Sequence, residues 1–186
     1  IKNVTKIFSN KMSKKLKAVD NVSIDINPGE IFGVIGYSGA GKSTLLNIIS
    51  GIIPNDEKNF QTIENYGVSY IFQEDRLIDW LTVAENISLV VKRIYDKKKI
   101  KKLCDKYLDL VGIKEYKNYY PQMLSGGLRQ RVNIARAFIY PSKIIIMDEP
   151  FKSIDVINKE IIMNDFKKIL EKKKYQILSF KKKKYE

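Results

Sequence analysis

The amino-acid sequence predicts an α/β fold: a parallel sheet built around a phosphate-binding glycine loop, with antiparallel strands before it and an α-helical subdomain inserted into it. Three observations predict this. The apolar run 31–35 leads straight into Gly36–Thr44, reading GYSGAGKST, and then into Leu45, Leu46, Ile48 and Ile49, which is the order strand, glycine loop, helix. A second apolar run, 144–147, ends in Asp148, Glu149 and Pro150, the pattern of a parallel strand buried on both faces with its chemistry at the carboxyl end. Between the two, segments 81–95 and 100–111 carry helical periodicity.

The elements follow in chain order. Residues 1–31 are expected as antiparallel strands, because KAVDNVSIDINPGE alternates apolar and polar side chains before a Pro-Gly turn. Segment 31–35 reads as a buried strand. In the loop after it, Gly36, Gly39 and Gly41 remove side chains, so the backbone can curl until successive N–H groups form an anion nest at the start of the next helix. Tyr37, Ser38 and Ala40 complete that backbone. Lys42 is expected to reach the outer phosphates of a nucleoside triphosphate, Ser43 to offer its hydroxyl to Mg²⁺, and Thr44 to open the helix. A glycine-rich turn with a stray lysine is the competing reading, and the flanking strand and helix argue against it.

Segment 68–72 is strand-like and delivers Gln73, although a Gln after an apolar run is by itself ordinary. The helical subdomain is expected over about residues 75–125, with Thr82 as an N-cap and Gly112 as a stop. Ser125, Gly126 and Gly127 then precede a helix carrying Arg129, Arg131 and Arg136, and again offer N–H groups to an anion. Asp148 suits a place near a metal; the alternative is that Asp148 and Glu149 only cap a turn before Pro150. The last strand is expected at 176–180.

Taken together, GYSGAGKST, LSGGLRQR at 124–131 and IIIMDEP at 144–150 resemble the Walker A, signature and Walker B elements of ATP-binding cassette (ABC) ATPases. That resemblance implies a P-loop NTPase core with the antiparallel β subdomain and helical insert of that family, with ATP and Mg²⁺ as ligands. It implies that Ser43, Gln73 and Asp148 surround Mg²⁺, that Glu149 activates the attacking water, and that Lys42 and the glycine loop hold the phosphates. It further implies that Phe8 stacks on adenine, against the ordinary reading of an isolated Phe as core. Two cassettes of the family pack head to tail, so Ser125, Gly126 and Gly127 would close on ATP held by the other chain, and FKSID, with Ser153 and Asp155, would cross the dimer interface.

A finer likeness runs through FQEDRLIDWLTVAENI, LSGGLRQRVNIARAF and MDEPF, which look like the ATPase subunits of importers for nitrate, taurine, alkanesulfonates and thiamine-precursor pyrimidines. Leu128 replaces the Gln of LSGGQ, as is common there. The implied partners are a second cassette, transmembrane permease subunits and, indirectly, an extracytoplasmic solute-binding protein, with the chain at the cytoplasmic face of the membrane. Arg76, Leu77, Trp80 and Leu81 are either the groove that receives the permease or ordinary packing residues.

The sequence departs from the family at its end. It contains no histidine, whereas these ATPases place one on the strand after the catalytic Glu; here that strand runs into lysines at 181–184. Either the tail is truncated or misread, which makes the chain a single nucleotide-binding domain over 1–186 that is incomplete at its C-terminus, or the cassette binds ATP without efficient turnover. The formal net charge is +13, and between Lys167 and Glu186 nine lysines against two acids supply +7 of it. No dedicated nucleic-acid site is therefore expected, although a non-transport ABC ATPase acting on ribosomes or DNA is the alternative class. No apolar run approaches a membrane span, and the single Cys104 cannot form an intrachain disulfide.

Overall fold

A computed structural model of the chain describes residues 1–9, 15–27, 29–56, 67–149, 159–160, 163–164 and 176–182. Strands β1 (Val4–Ser9) and β2 (Lys15–Val22) pair antiparallel, with Phe8 opposite Leu16 and irregular register either side of Lys6. A second, wholly parallel sheet has the order β3-β6-β5-β4, formed by β3 (Ile31–Gly36), β4 (Val68–Ile71), β5 (Ile144–Asp148) and β6 (Gln176–Lys182). Because all four strands run the same way, the ends of β3, β4 and β5 bring Gly36, Gln73 and Asp148 to one edge of the sheet. Open α/β sheets bind their ligands at that edge.

Helices α1 (Lys42–Ile49), α2 (Val83–Ser88), α3 (Lys97–Leu110) and α4 (Gly126–Ile139) pack with these strands. Among the described residues the core has two parts. Val4, Val19, Leu45, Leu46 and Ile48 join the antiparallel sheet and α1 to Ile144 and Ile146. Ile71, Val83, Ile87, Leu108, Val132 and Phe138 join the helical subdomain to Ile145 and Met147. Alternate residues of β5 thus belong to opposite clusters, which is why its sequence is an unbroken apolar run.

The α/β class and the helical insert match expectation, and several boundaries differ. Segment 31–35 is only half-buried: Ile31 and Ile35 are 61% and 66% exposed, while Phe32 and Val34 pack toward α1. Among the described residues β3 is the sheet's edge and pairs with β6 alone, so one face of it is open. Helix α1 begins at Lys42 rather than Thr44, since Gly41 is already its N-cap in the left-handed region. Thr82 caps α2 through a reciprocal box with Glu85, but α2 ends at Ser88, short of the periodic stretch 81–95. There the Ser88 hydroxyl donates to the Glu85 carbonyl at 3.1 Å, and the chain tightens into a 3₁₀ turn over Leu89–Val91. Gly112, at φ 64°, ends the α3 region. The FKSID stretch and the lysines 183–184 lie outside the described residues.

Cys104 is buried in α3, where burial and then Asp105 push its thiol up to about 11. It is a packing residue rather than a reactive one.

Candidate nucleotide site

The glycine loop, the ends of β4 and β5, and the antiparallel strands enclose a cavity of about 680 Å³. Its lining takes in Ser38, Gly39, Ala40, Gly41, Lys42, Ser43 and Thr44 from the loop, with Gln73, Asp148 and Glu149 from the sheet edge and Phe8 from β1. Two glycines are required by geometry. Gly39 and Gly41 have φ of 80° and 78°, and a Cβ on Gly41 would overlap the backbone carbonyl oxygen of Ala18 on β2. The loop can therefore press against β2 while α1 begins with N–H groups that lack intrahelical acceptors.

Ser43, in the first turn of α1, donates its hydroxyl to Asp148 Oδ2 at 2.8 Å, across 105 residues of sequence. Two oxygen ligands meeting at the mouth of a phosphate loop are the donors a hard divalent cation prefers. Among the described residues no cluster of three or more His, Cys, Asp or Glu forms a closed metal cage. A cation here would share its ligands with phosphate oxygens, and the residues present fit Mg²⁺ in that role. Glu149 follows with φ 45°, a left-handed conformation rare outside glycine, so the chain turns abruptly after the strand.

Lys42 turns back on the loop itself. Its ammonium donates to the carbonyls of Gly36 and Tyr37, at 2.9 and 2.6 Å, so it folds over the loop. Gly36 and Tyr37 hold the lysine and do not line the cavity. Phe8 is 40% exposed at the cavity wall, with the Lys6 ammonium 5.8 Å from its ring centre, and so is no core residue. Leu16, Lys17 and Ala18 of β2 also line the cavity; nothing in the sequence marked them beyond strand alternation.

Ser125, Gly126 and Gly127 stand apart from this cavity. Ser125 caps α4, its hydroxyl accepting from Leu128 N at 3.4 Å, and a Cβ on either glycine would meet no atom within 4 Å. Gly126 and Arg129 instead line a neighbouring recess that Gln73 shares. Gln73 therefore borders both spaces.

Asp75, Asn133 and Asn86, which the sequence did not single out, organise residues 72–82 together with Arg129 and Arg136. Asp75 accepts a fork of hydrogen bonds from Arg129, Nε to Oδ2 at 2.7 Å and Nη2 to Oδ1 at 3.0 Å, which holds its carboxyl below the usual range. Asn133 and Arg136 of α4 hold neighbouring carbonyls. Asn86, fully buried in α2, accepts from Ile78 N at 2.8 Å, and its amide nitrogen reaches the carbonyls of Ile78, Leu81 and Thr82. These contacts span up to 61 residues, and no local pattern announces them. Of the four proposed groove residues, Leu77 packs on the helical core and Trp80 is 79% exposed. Arg76 lies 3.9 Å over the Phe72 ring, beside a recess of about 540 Å³ that Leu89 and Val90 also line.

A protein-family model described as "ABC transporter" matches residues 19–152. Over 94% of its length the chain is 35% identical to an uncharacterized ABC transporter ATP-binding protein of Methanocaldococcus jannaschii, of which it covers 67%. It is 36% identical over 94% of its length to an aliphatic sulfonates import ATP-binding protein of Bacillus cereus, covering 70% of it, and 32% identical over 96% to an osmoprotectant import ATP-binding protein of Salmonella typhimurium, covering 50%. The chain thus spans 50–70% of the length of these curated relatives. Among solved structures, a dimeric ATP-binding cassette in a post-hydrolysis state with ADP and Pi superposes with TM-score 0.86 at 31% identity, over 96% of this chain and 85% of that one. The glycine loop, the paired Ser43 and Asp148 and the signature-capped α4 are thereby given a family: the chain belongs to the ABC transporter family as an ATP-binding cassette, an ABC-type ATPase.

Proposed function

We propose that the chain binds MgATP in the glycine-loop cavity, closes head to tail on a second cassette, and hydrolyses ATP to drive solute import through separate permease subunits. The observation that carries this is the Ser43–Asp148 contact, with Gln73 and Glu149 lining the same cavity. The names of the relatives support import, and the dimeric cassettes support assembly in pairs. No helix among the described residues is long and apolar enough to cross a membrane, so on this reading the transport path belongs to other chains at whose cytoplasmic face the cassette works.

The chain's own groups divide the work. Ser38 to Ser43 cradle the phosphates with backbone N–H groups, and Phe8 offers a ring to the base. Lys42 exchanges the carbonyls of Gly36 and Tyr37 for phosphate oxygens. Ser43, Gln73 and Asp148 would hold Mg²⁺, which when bound neutralises charge on the phosphate oxygens. Glu149 orients the attacking water and accepts its proton. In the pair, Ser125, Gly126 and Gly127 of each chain face the nucleotide of the other, and the recess beside Phe72, Arg76, Leu89 and Val90 is the permease contact. An extracytoplasmic solute-binding protein would act through the permease.

The lack of histidine in the sequence favours a second reading, a cassette that binds ATP without efficient turnover. Phosphate release and ATP binding, measured on the wild-type chain and on Glu149→Gln, decide between them. Release by the wild type, reduced at least 100-fold in Glu149→Gln with binding retained, supports hydrolysis with Glu149 as base. Binding without release in the wild type supports the second reading, and wild-type turnover in Glu149→Gln would refute the base assignment.

A further inference from the structure

The Gln73 segment is gripped by one face of the helix that starts at the signature loop. Arg129, Asn133 and Arg136 are spaced four and three residues apart, so they share a face of α4. Each holds a different point of the segment. Asn133 Nδ2 donates to the Phe72 carbonyl at 3.3 Å, just before Gln73. Arg129 forks onto the Asp75 carboxylate, just after it. Arg136 donates through Nη2 to the Asp75 carbonyl at 2.7 Å and through Nη1 to the Arg76 carbonyl at 2.9 Å, while Nη2 also reaches Asn133 Oδ1 at 3.1 Å. Gln73 is bracketed on both sides by a single rigid element.

That element begins at Ser125 and Gly126. Arg129 lies three residues beyond Gly126, an axial distance of about 4.5 Å. Asn133 is 1% exposed and the Asp75 side chain 21%, so the grip is substantially shielded from water. Among the described residues Arg129–Asp75 is its one contact between two charged side chains, and the planar fork fixes orientation as well as distance.

We propose that the Asp75–Arg129 pair is a positioning device that ties Gln73 of one nucleotide site to the signature loop serving the other. Neither residue lines the glycine-loop cavity; both line the neighbouring recess. A displacement of the signature loop is carried along α4 into the Gln73 segment, so each site senses whether the loop it lends is engaged. The inference rests on the head-to-tail reading above.

The test compares the full chain with Asp75→Asn, Arg129→Gln and the double variant, reading kcat and KM for MgATP, affinity for a fluorescent ATP analogue, and thermal melting. Each single change should lower kcat about tenfold and leave KM and analogue affinity within about twofold. The double variant should lose no more than either single one, because both remove the same link. A folded Asp75→Asn with kcat within twofold of wild type overturns the proposal, as do losses that multiply to about 100-fold in the double variant. Should Asp75→Asn fail to fold, Arg129→Lys keeps the charge, removes the fork and is judged by the same criteria. A wild type that binds the analogue without turnover defeats the hydrolysis reading. The pair is then judged by sedimentation of the ATP-bound chain: Asp75→Asn should weaken dimerisation at least fivefold, and unchanged or absent dimerisation of both chains overturns the link.

Discussion

Replacing Gly41 with alanine should destabilise the chain far more than the same change at Gly39, although both residues have almost the same backbone conformation. At φ 80° and 78°, either alanine meets the left-handed penalty, about 1–2 kcal/mol. At Gly39 nothing lies within 4 Å of the new methyl, so that penalty is the whole cost. At Gly41 the methyl would overlap the carbonyl oxygen of Ala18, which is backbone and cannot rotate away. Either the loop lifts or β2 shifts, adding about 1–3 kcal/mol of overpacking. For a chain of this size about 1 kcal/mol moves the melting midpoint by roughly 2–4 °C. Gly39→Ala should then melt a few degrees low and Gly41→Ala on the order of 10 °C low. Urea unfolding followed by far-UV circular dichroism measures both. Equal stabilities, within about 0.5 kcal/mol, would show that β2 does not press on the loop and would refute the reasoning.

Asn86→Leu, similar in volume but without the amide, should cost about 2–4 kcal/mol by stranding the Ile78 N–H and the Leu81 carbonyl, while the Ile78 and Thr82 carbonyls keep their backbone donors; it is read as a lower urea midpoint with an unchanged slope. The Asp56 carboxylate accepts from Lys6 Nζ at 2.6 Å and Ile7 N at 2.7 Å, and these bonds, Lys6 first, lower its pKa in the folded chain. A depressed folded value means that the stabilisation is complete above the unfolded value, about 3.9, and is lost as pH falls through the lower folded one. Asp56→Asn should therefore melt below wild type at pH 6 and approach it as pH falls below the unfolded value of about 3.9; a gap that widened in acid would contradict this.

How far the site was legible depends on how local its causes are. The glycine loop, with Ser43 and Lys42, was readable because strand, loop and helix are contiguous and the backbone itself makes the anion nest. Asp148 and Glu149 were readable because a strand buried on both faces must end where polar residues begin. Thr82 and Gly112 were readable because a cap acts within one turn. The half-open face of β3 was not, since an apolar run does not say which of its faces finds a neighbour. Nor was the resting place of the Lys42 ammonium, which depends on the curl of the carbonyls at Gly36 and Tyr37.

By itself the sequence determined which segments are strands and helices, which loop curls into an anion nest before a helix, and the family to which the chain belongs, because propensity, periodicity and backbone freedom act over a few residues. Only the tertiary structure decided that Ser43 meets Asp148, that Phe8 and β2 wall the same cavity, and that α4 grips both sides of Gln73. The hydrogen bonds among them join residues 54 to 105 positions apart. Hydrogen bonds and close packing are decided at ångström scale, and sequence spacing carries no such distance until the sheet has set its strand order.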